Sequence, residues 1–443
     1  MSRIAIVGTG ISGLGAAYLL NPHHQITVYE KAPRIGGHSR TVTVDYDGVS
    51  IPVDTGFIVF NHKNYPHLTG LFRHLDVPTH HSDMTFSTTI ADGWLEWGAK
   101  DVNAVFGQRR NLLRPHFLAL LAQVTRFNRD AEAAVENHPN FTLDELIGHL
   151  KLGEWFRRFY LLPMAGAIWS CPPAEMLRFP ARTLIRFFAN HNLLSTSGQP
   201  QWHTVTGGSQ EYVRRLTAPF TGSIRTGCGA ASVSRTENGV VVRDTHGGTA
   251  QYDQVVFACH GDQALALLAD ADAAERAALS PFRYQKNIAV LHRDTSVMPR
   301  RKRCWASWVY SSDGGYHPAI TVTYWMNRLQ GIDQRHPLFV SLNPRREIPS
   351  EQVFDTAEFD HPVFDAAAIA AQDRVAQLQG TRNVWFCGAH LGHGFHEDGL
   401  ASAVRVARRL GAAVPWSVAA VPRARSVPER MPAFGQPAAV KLF

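Results

Sequence analysis

The chain has 443 residues, 45% hydrophobic and 18% charged, with 44 Lys and Arg against 37 Asp and Glu, a formal net charge of +7 and a pI near 9.3. That length exceeds what one hydrophobic core serves, so two interleaved domains are expected, and no run approaches the roughly twenty apolar residues that span a bilayer. The positive balance favours an anionic partner, either nucleic acid or a negatively charged membrane surface. Cys171, Cys228, Cys259, Cys304 and Cys387 are scattered and form no CxxC pair, which excludes a disulfide framework and a zinc site and suits a reducing cytosol.

The chain opens on an apolar strand, Arg3 to Val7, followed by Gly8-Thr9-Gly10-Ile11-Ser12-Gly13, a helix from Leu14 to Leu20, a second strand Ile26 to Tyr29, and Glu30. With a strand starting at residue 3, no cleaved leader is expected. A GxGxxG alone is a weak signal. Between a buried strand and a helix start, with an acid just over twenty residues on, it predicts a dinucleotide-binding unit. Gly8 permits the turn, Gly10 lets backbone approach a pyrophosphate, Gly13 lets helix and strand pack, and the helix N-terminus offers free amides. Glu30 is expected at the adenosine ribose. Lys31 to Thr41 then carries the paired Gly36 and Gly37, and strands Thr41 to Val44 and Ile51 to Val53 lead to Asp54-Thr55-Gly56-Phe57.

Residues 76–200 read as helical and rich in Arg, Phe and Leu. Pro115 opens a helix with Phe117, Leu120, Leu121 and Val124 on one face and Arg126 opposite, preceded by Arg109, Arg110 and Arg114. Pro180 opens another, with Arg178, Arg182 and Arg186 every fourth residue and Leu184, Phe187 and Phe188 opposite. Each fits a core-facing stripe with a charged back or a helix lying in a membrane interface. Leu152 to Trp169 has little polar face and suits the wall of an acyl channel or a buried core helix.

Farther on, Val205 to Ser209 precedes a helix with Tyr212, Val213 and Leu216, and Ile224 to Ser234 leads to strands Val240 to Arg243 and Gln254 to Ala258. Trp305 to Tyr310 and Ala319 to Met326 flank Asp313-Gly314-Gly315 as a hairpin, so some of Trp305, Trp308, Tyr324 and Trp325 line a cavity and the rest are structural. Val384 to His390, Gly394 to Leu400 and a helix to Leu410 follow. From Pro415 to Phe443, Pro and Arg without periodicity predict a loosely ordered tail.

Taken together, the ExxxRxGG run, the Asp54-Thr55-Gly56 turn and the terminal glycine motif resemble the flavin amine oxidoreductases. The resemblance implies an α/β fold. An FAD-binding Rossmann-like domain of amine-oxidase type would comprise residues 1–75, 200–275 and 379–414, with an interleaved α+β substrate domain at 76–199 and 276–378. It implies FAD contacts from Gly8, Gly10, Ser12, Gly13, Glu30, Lys31, Gly37, His38, Gly56, Phe57, Val233, Gly388 and Leu400. Val233 would meet the adenine end through its backbone, and the helix start near Leu400 would face the flavin's pyrimidine edge. No second GxGxxG lies in a strand and helix context, so the substrate itself is expected to reduce the flavin. The Lys that holds a water at N5 in flavin amine oxidases falls on Asn287, or on Lys286 after a one-residue slip, and Phe395 replaces a cage Tyr.

The runs Asp54 to Asn61, Leu95-Glu96-Trp97, Trp305 to Trp308 and Gly394 to Gly399 are similar to a bacterial branch associated with cyclopropane synthase-like methyltransferases and furan fatty acid synthesis. This implies desaturation of a methylated, monounsaturated acyl chain of a phospholipid by hydride transfer to flavin N5, with His396 and Glu397 handling the proton. Glu397 suits a helix cap equally well. A cytoplasmic, peripheral place on the anionic inner membrane surface follows, with a lipid methyltransferase as partner and no nucleic acid. His390, His393, His396 and Glu397 lack a metal-ligand spacing, and no metal is expected. An amine oxidase of small amines or polyamines, and a noncatalytic flavin-binding membrane partner, remain open.

Overall fold

The computed structural model describes residues 1–169, 173–195, 197–315 and 321–418. A parallel five-stranded sheet, in the order 224–225, 25–29, 3–7, 254–257, 384–386, gathers segments from the start, middle and end of the chain. Ile4, Ala5 and Ile6 of Arg3–Val7 are fully buried, because helices cover both faces, as a parallel sheet requires. On one face the helices Ile11–Leu20 and His396–Arg409 pack together, and a Cβ at Gly15 would meet Leu400 Cδ1 at 2.7 Å. On the other lies Ala366–Leu378. The sequence boundary at 379 places that helix in the substrate domain, but Ala368, Ala371 and Val375 pack with Val7, Val255, Phe257 and Val384 of the parallel sheet.

A seven-stranded sheet forms the second body, in the order 353–363, 283–292, 339–342, 321–325, 308–312, 86–90, 95–98. The parallel pairing of Trp308 with Phe86 joins the two inserted segments. Trp308–Ser312 and Thr321–Trp325 pair antiparallel as the expected hairpin, while 316–320, including Ala319, lie outside the described residues. Helices Pro115–Asn137, Leu143–His149 and Ala181–Asn190, with the helical run 154–169, close one large apolar cluster against this sheet.

Leu184, Ile185, Phe187 and Phe188 are buried in that cluster, while Arg182 and Arg186 bind Glu136 of the neighbouring helix at 2.9 and 3.2 Å. The helix that Pro180 opens therefore turns a core stripe inward and spends two of its cations on its own fold. The expected tail begins later than Pro415, since Trp416 is buried against Gly70; residues 419–443 lie outside the described residues. Among the described residues no helix is long and apolar enough to cross a membrane.

Candidate active site

The first turn is built around contacts that admit no side chain. Gly8, at φ +106°, donates its N–H to Tyr29 O, and a Cβ at Gly13 would lie 1.9 Å from Gly8 O. Gly10 differs: nothing lies within 4 Å of its Cβ position, and as N-cap of Ile11–Leu20 it leaves the first-turn amides with no side-chain cap. This open space offers uncapped helix amides to an anion. Glu30 closes it, with Oε2 accepting from Thr9 N at 3.0 Å and from Thr9 Oγ1, and Oε1 from Ala32 N at 2.8 Å. Ser12 is buried beside Gly399, whose Cβ position is 2.8 Å from Ser12 Oγ. Two helix N-termini thereby meet.

Gly37 folds back onto Gly10, its Cβ position 2.9 Å from Gly10 Cα. Phe57 N donates to His38 O at 2.8 Å, and a Cβ on Gly56 would lie 2.0 Å from that oxygen. Asp54 anchors the junction, its buried carboxylate accepting from Thr41 Oγ1 (2.6 Å), Ser209 N and Oγ (2.8 Å each) and Gln330 Nε2 (3.2 Å). Burial raises its pKa to about 6 against these bonds. Arg40 adds a two-pronged pair to Asp355 at 2.6 and 2.9 Å.

His396 opens the terminal helix, stacked on Phe57 at 3.9 Å between ring centroids. Its Nε2 meets Tyr212 Oη at 2.8 Å and Ser39 Oγ at 3.0 Å, and those two hydroxyls also bond each other. Burial pushes the imidazole down to about 3, so it is neutral. Glu397 turns elsewhere. Its two carboxylate oxygens accept from the amides of His67 and Leu68 at 2.9 Å each, capping the separate helix Pro66–His74. The geometry assigns it the cap role and leaves no oxygen aimed at a substrate.

Strand alternation resolves the Lys286 and Asn287 slip. Lys286 points outward to Glu358 at 3.0 Å, both well exposed, whereas Asn287 is buried, donating to His361 Nδ1 at 2.8 Å and accepting from Asn343 at 2.7 Å. His38 lies beside this pair, 5.5 Å from the His361 ring and 5.0 Å from Phe359. Burial first, then neighbouring imidazoles, holds His38 well below its ordinary value, and burial takes His361 to about 4. Both keep part of their surface accessible. Phe395 stacks on Phe187 at 5.0 Å and reaches Trp169 at 6.3 Å. Partly accessible Met164, Ile168, Trp308 and Phe86 pack against the same apolar cluster.

Three further residues occupy other places than the resemblance implied or gave only in outline. Val233 is fully buried, and its carbonyl accepts from Ala269 N at 2.9 Å, so its backbone is spent inside the fold. The segment that flanks the acidic strand end lies slightly earlier: Cys228 N donates to Glu30 O, and a Cβ at Gly229 would sit 2.9 Å from Lys31 Cβ. Gly388 N is taken by Ser402 Oγ at 2.9 Å, and Leu400 is a buried packing residue against Gly15. Ser39, Tyr212 and His361 were not singled out as site residues because each works through partners far along the chain, and Asp54 was named only within the turn that it anchors.

A family model described as flavin containing amine oxidoreductase matches residues 11–293. The chain belongs to this family. An L-amino-acid oxidase from Bothrops pauloensis is 52% identical over 47 residues, 10% of this chain and 9% of that protein; the chain thus spans about a tenth of the curated relatives it matches. A fatty acid isomerase from P. acnes has a TM-score of 0.66 at 16% identity, covering 92% of this chain and 98% of that one. Cyclohexylamine oxidase from Brevibacterium oxydans gives 0.64 at 16%, covering 93% and 99%. The fold is the α/β, amine-oxidase type, and the family is one of flavin-containing oxidoreductases.

The residues present fit FAD as that flavin. The empty volume at Gly10 with its uncapped amides would hold the diphosphate, Glu30 the ribose, and the loops at 37–38 and 56–57 with the start of His396–Arg409 would border the ring. Among the described residues no group of three or more His, Cys, Asp or Glu side chains is placed to hold a metal.

Glu397 carries a pH prediction. Burial raises its carboxyl from 4.5 to about 7, so between those values the folded protein binds the proton more tightly than the unfolded chain. Its contribution to stability therefore falls as pH rises through that window and is constant above it. Thermal melts across the window are expected to show a flatter dependence in Glu397→Gln than in the parent.

Proposed function

We propose that this oxidoreductase desaturates the methylated, monounsaturated acyl chain of a membrane phospholipid. Asn287 carries the reading: the inward position of that strand holds a neutral amide committed to His361 and Asn343, and the neighbouring Lys286 lies outside on Glu358. We place the acyl chain along Phe395, Phe187, Trp169, Met164 and Trp308, which belong to one apolar cluster suited to a long apolar ligand. The imidazoles of His38, His361 and His396 are held neutral by burial, which favours an uncharged ligand beside them. A neighbour of the same fold, from P. acnes, is a fatty acid isomerase, which supports an acyl chain as the substrate class.

FAD held by the residues named above would supply the acceptor for a hydride from one carbon, with dioxygen or a membrane quinone as the oxidant that would take the two electrons onward. The chain's own part is to hold that carbon in place, exclude water and accept a proton from the adjoining carbon, whose C–H electron pair becomes the new double bond. Of the two groups expected to handle the proton, Glu397 is spent on the helix cap, so the proposal gives the role to His396. Its imidazole is neutral and its Nε2 is held by the hydroxyls of Ser39 and Tyr212, which leaves Nδ1 as the nitrogen that would take the proton. On this reading the chain works at the inner membrane surface, after a lipid methyltransferase that supplies the methyl branch.

The test is anaerobic incubation with phospholipid vesicles followed by mass spectrometry of the acyl chains. The proposal expects a product lighter by the mass of two hydrogens; unchanged acyl chains alongside aldehyde from an added amine would contradict it.

A further inference from the structure

We infer that the surface formed by residues 93–118 and 299–303 is a docking face for an anionic phospholipid bilayer. These two segments hold eight Lys and Arg against two carboxylates, a balance close to the +7 of the whole chain. Arg109, Arg110, Arg301, Lys302 and Arg303 border one surface depression of about 620 Å³. The two carboxylates are already committed. Glu96 is buried beneath the face, where it accepts from the amides of Arg300 and Arg301 at 2.7 and 3.3 Å and pairs with the Arg301 guanidinium at 2.8 Å. Asp101 caps the short helix Val102–Val105 through Ala104 N.

Among the described residues no ion pair engages Arg109, Arg110, Arg114, Arg300, Lys302 or Arg303. That contrasts with Arg182 and Arg186, whose charges Glu136 neutralises.

Apolar exposure falls in the same place. Of the eight large hydrophobic residues exposed among the described residues, Trp94, Val102, Leu112, Leu113 and Leu118 lie here, and Leu113 is 87% exposed. Arg114 sits over the Trp94 ring at 5.1 Å and donates to Trp94 O at 3.0 Å, while Arg110 donates to the same carbonyl, so cations and apolar side chains form one surface. Protruding leucines and a tryptophan set among unpaired cations match a lipid interface, where acyl chains take the former and phosphates the latter. A nucleic acid backbone offers phosphates but no apolar phase for Leu112, Leu113 and Leu118.

Trp94 also touches the interior, with ring contacts to Trp155 at 5.5 Å and Phe159 at 5.8 Å in the apolar cluster that extends to Phe395. The docking face stands on the surface alone; only its use as the lipid's entrance rests on the acyl-chain reading of the cleft.

The experiment is co-sedimentation of the full-length flavoprotein with vesicles of phosphatidylcholine containing phosphatidylglycerol, and with phosphatidylcholine alone. Binding is expected to the anionic vesicles and to weaken with salt. Affinity should drop about tenfold or more in Lys302→Glu/Arg303→Glu, and similarly in Leu113→Glu. Flavin content, and turnover of detergent-dispersed lipid, should stay at the parent level in both variants. The inference is overturned if the parent ignores anionic vesicles, if the variants bind like the parent, or if RNA or an acidic protein occupies the face while vesicles do not. Vesicle binding without turnover of any lipid would keep the docking face and remove the acyl-chain reading.

Discussion

Gly10→Ala is expected to fold with the melting temperature of flavin-free parent protein and to bind FAD at least about a hundredfold more weakly, a loss of about 2.8 kcal/mol. The backbone there, at φ −65° and ψ 177°, suits any residue, and no protein atom lies within 4 Å of the added methyl. The methyl would instead fill the space above the uncapped amides, where the diphosphate must approach. Gly56→Ala offers the contrast. Its methyl would strike His38 O at 2.0 Å, so it should lose flavin and thermal stability together. Flavin occupancy by absorbance and a melting curve of each apoprotein separate the two. A Gly10→Ala protein as yellow as the parent would show that the cofactor's diphosphate lies elsewhere.

Asp54→Ala should cost on the order of 3–5 kcal/mol of stability, because a buried donor left without an acceptor costs about 1–3 kcal/mol and four donors converge here. Thr41 Oγ1, Ser209 N and Oγ, and Gln330 Nε2 come from three separate stretches of chain, so losing the carboxylate frees the turn that carries Gly56 and Phe57. Against a typical total of about 5–15 kcal/mol, a protein of low solubility and poor flavin content is the expected result. Asp54→Asn keeps one acceptor oxygen but turns an N–H₂ toward donors, and should fall between parent and Ala in melting temperature. Equal melting temperatures for parent and Asp54→Ala would remove the role given to this network.

The strand, turn and helix over residues 3–30 were legible because every feature there depends on near neighbours: a buried run, three spaced glycines and an acid at the next strand's end. What stayed hidden depended on partners far away in the chain. Whether Lys286 or Asn287 faces inward is set by pairing with Val353–Val363, about seventy residues on. Val233 is the one large apolar residue in Ala230–Thr236 and reads as a landmark, yet the irregular register between Ala230 and Ser232 and the bond from Ala269 place it inside the core. Glu397 has the same sequence signature as a cap of its own helix, and only the approach of Pro66–His74 reveals which helix it caps. Arg182 and Arg186 looked like free cations because Glu136 lies a helix away, whereas Arg109 and Arg110 kept their exposure.

The most direct measurement is the flavin's visible absorbance when the anaerobic oxidoreductase is mixed with methylated, monounsaturated phospholipid vesicles in one cuvette and with small amines or polyamines in another. The proposed acyl path past Asn287, His361 and Phe395 predicts bleaching by the lipid and an unchanged spectrum with the amines. Bleaching by amines alone would contradict it.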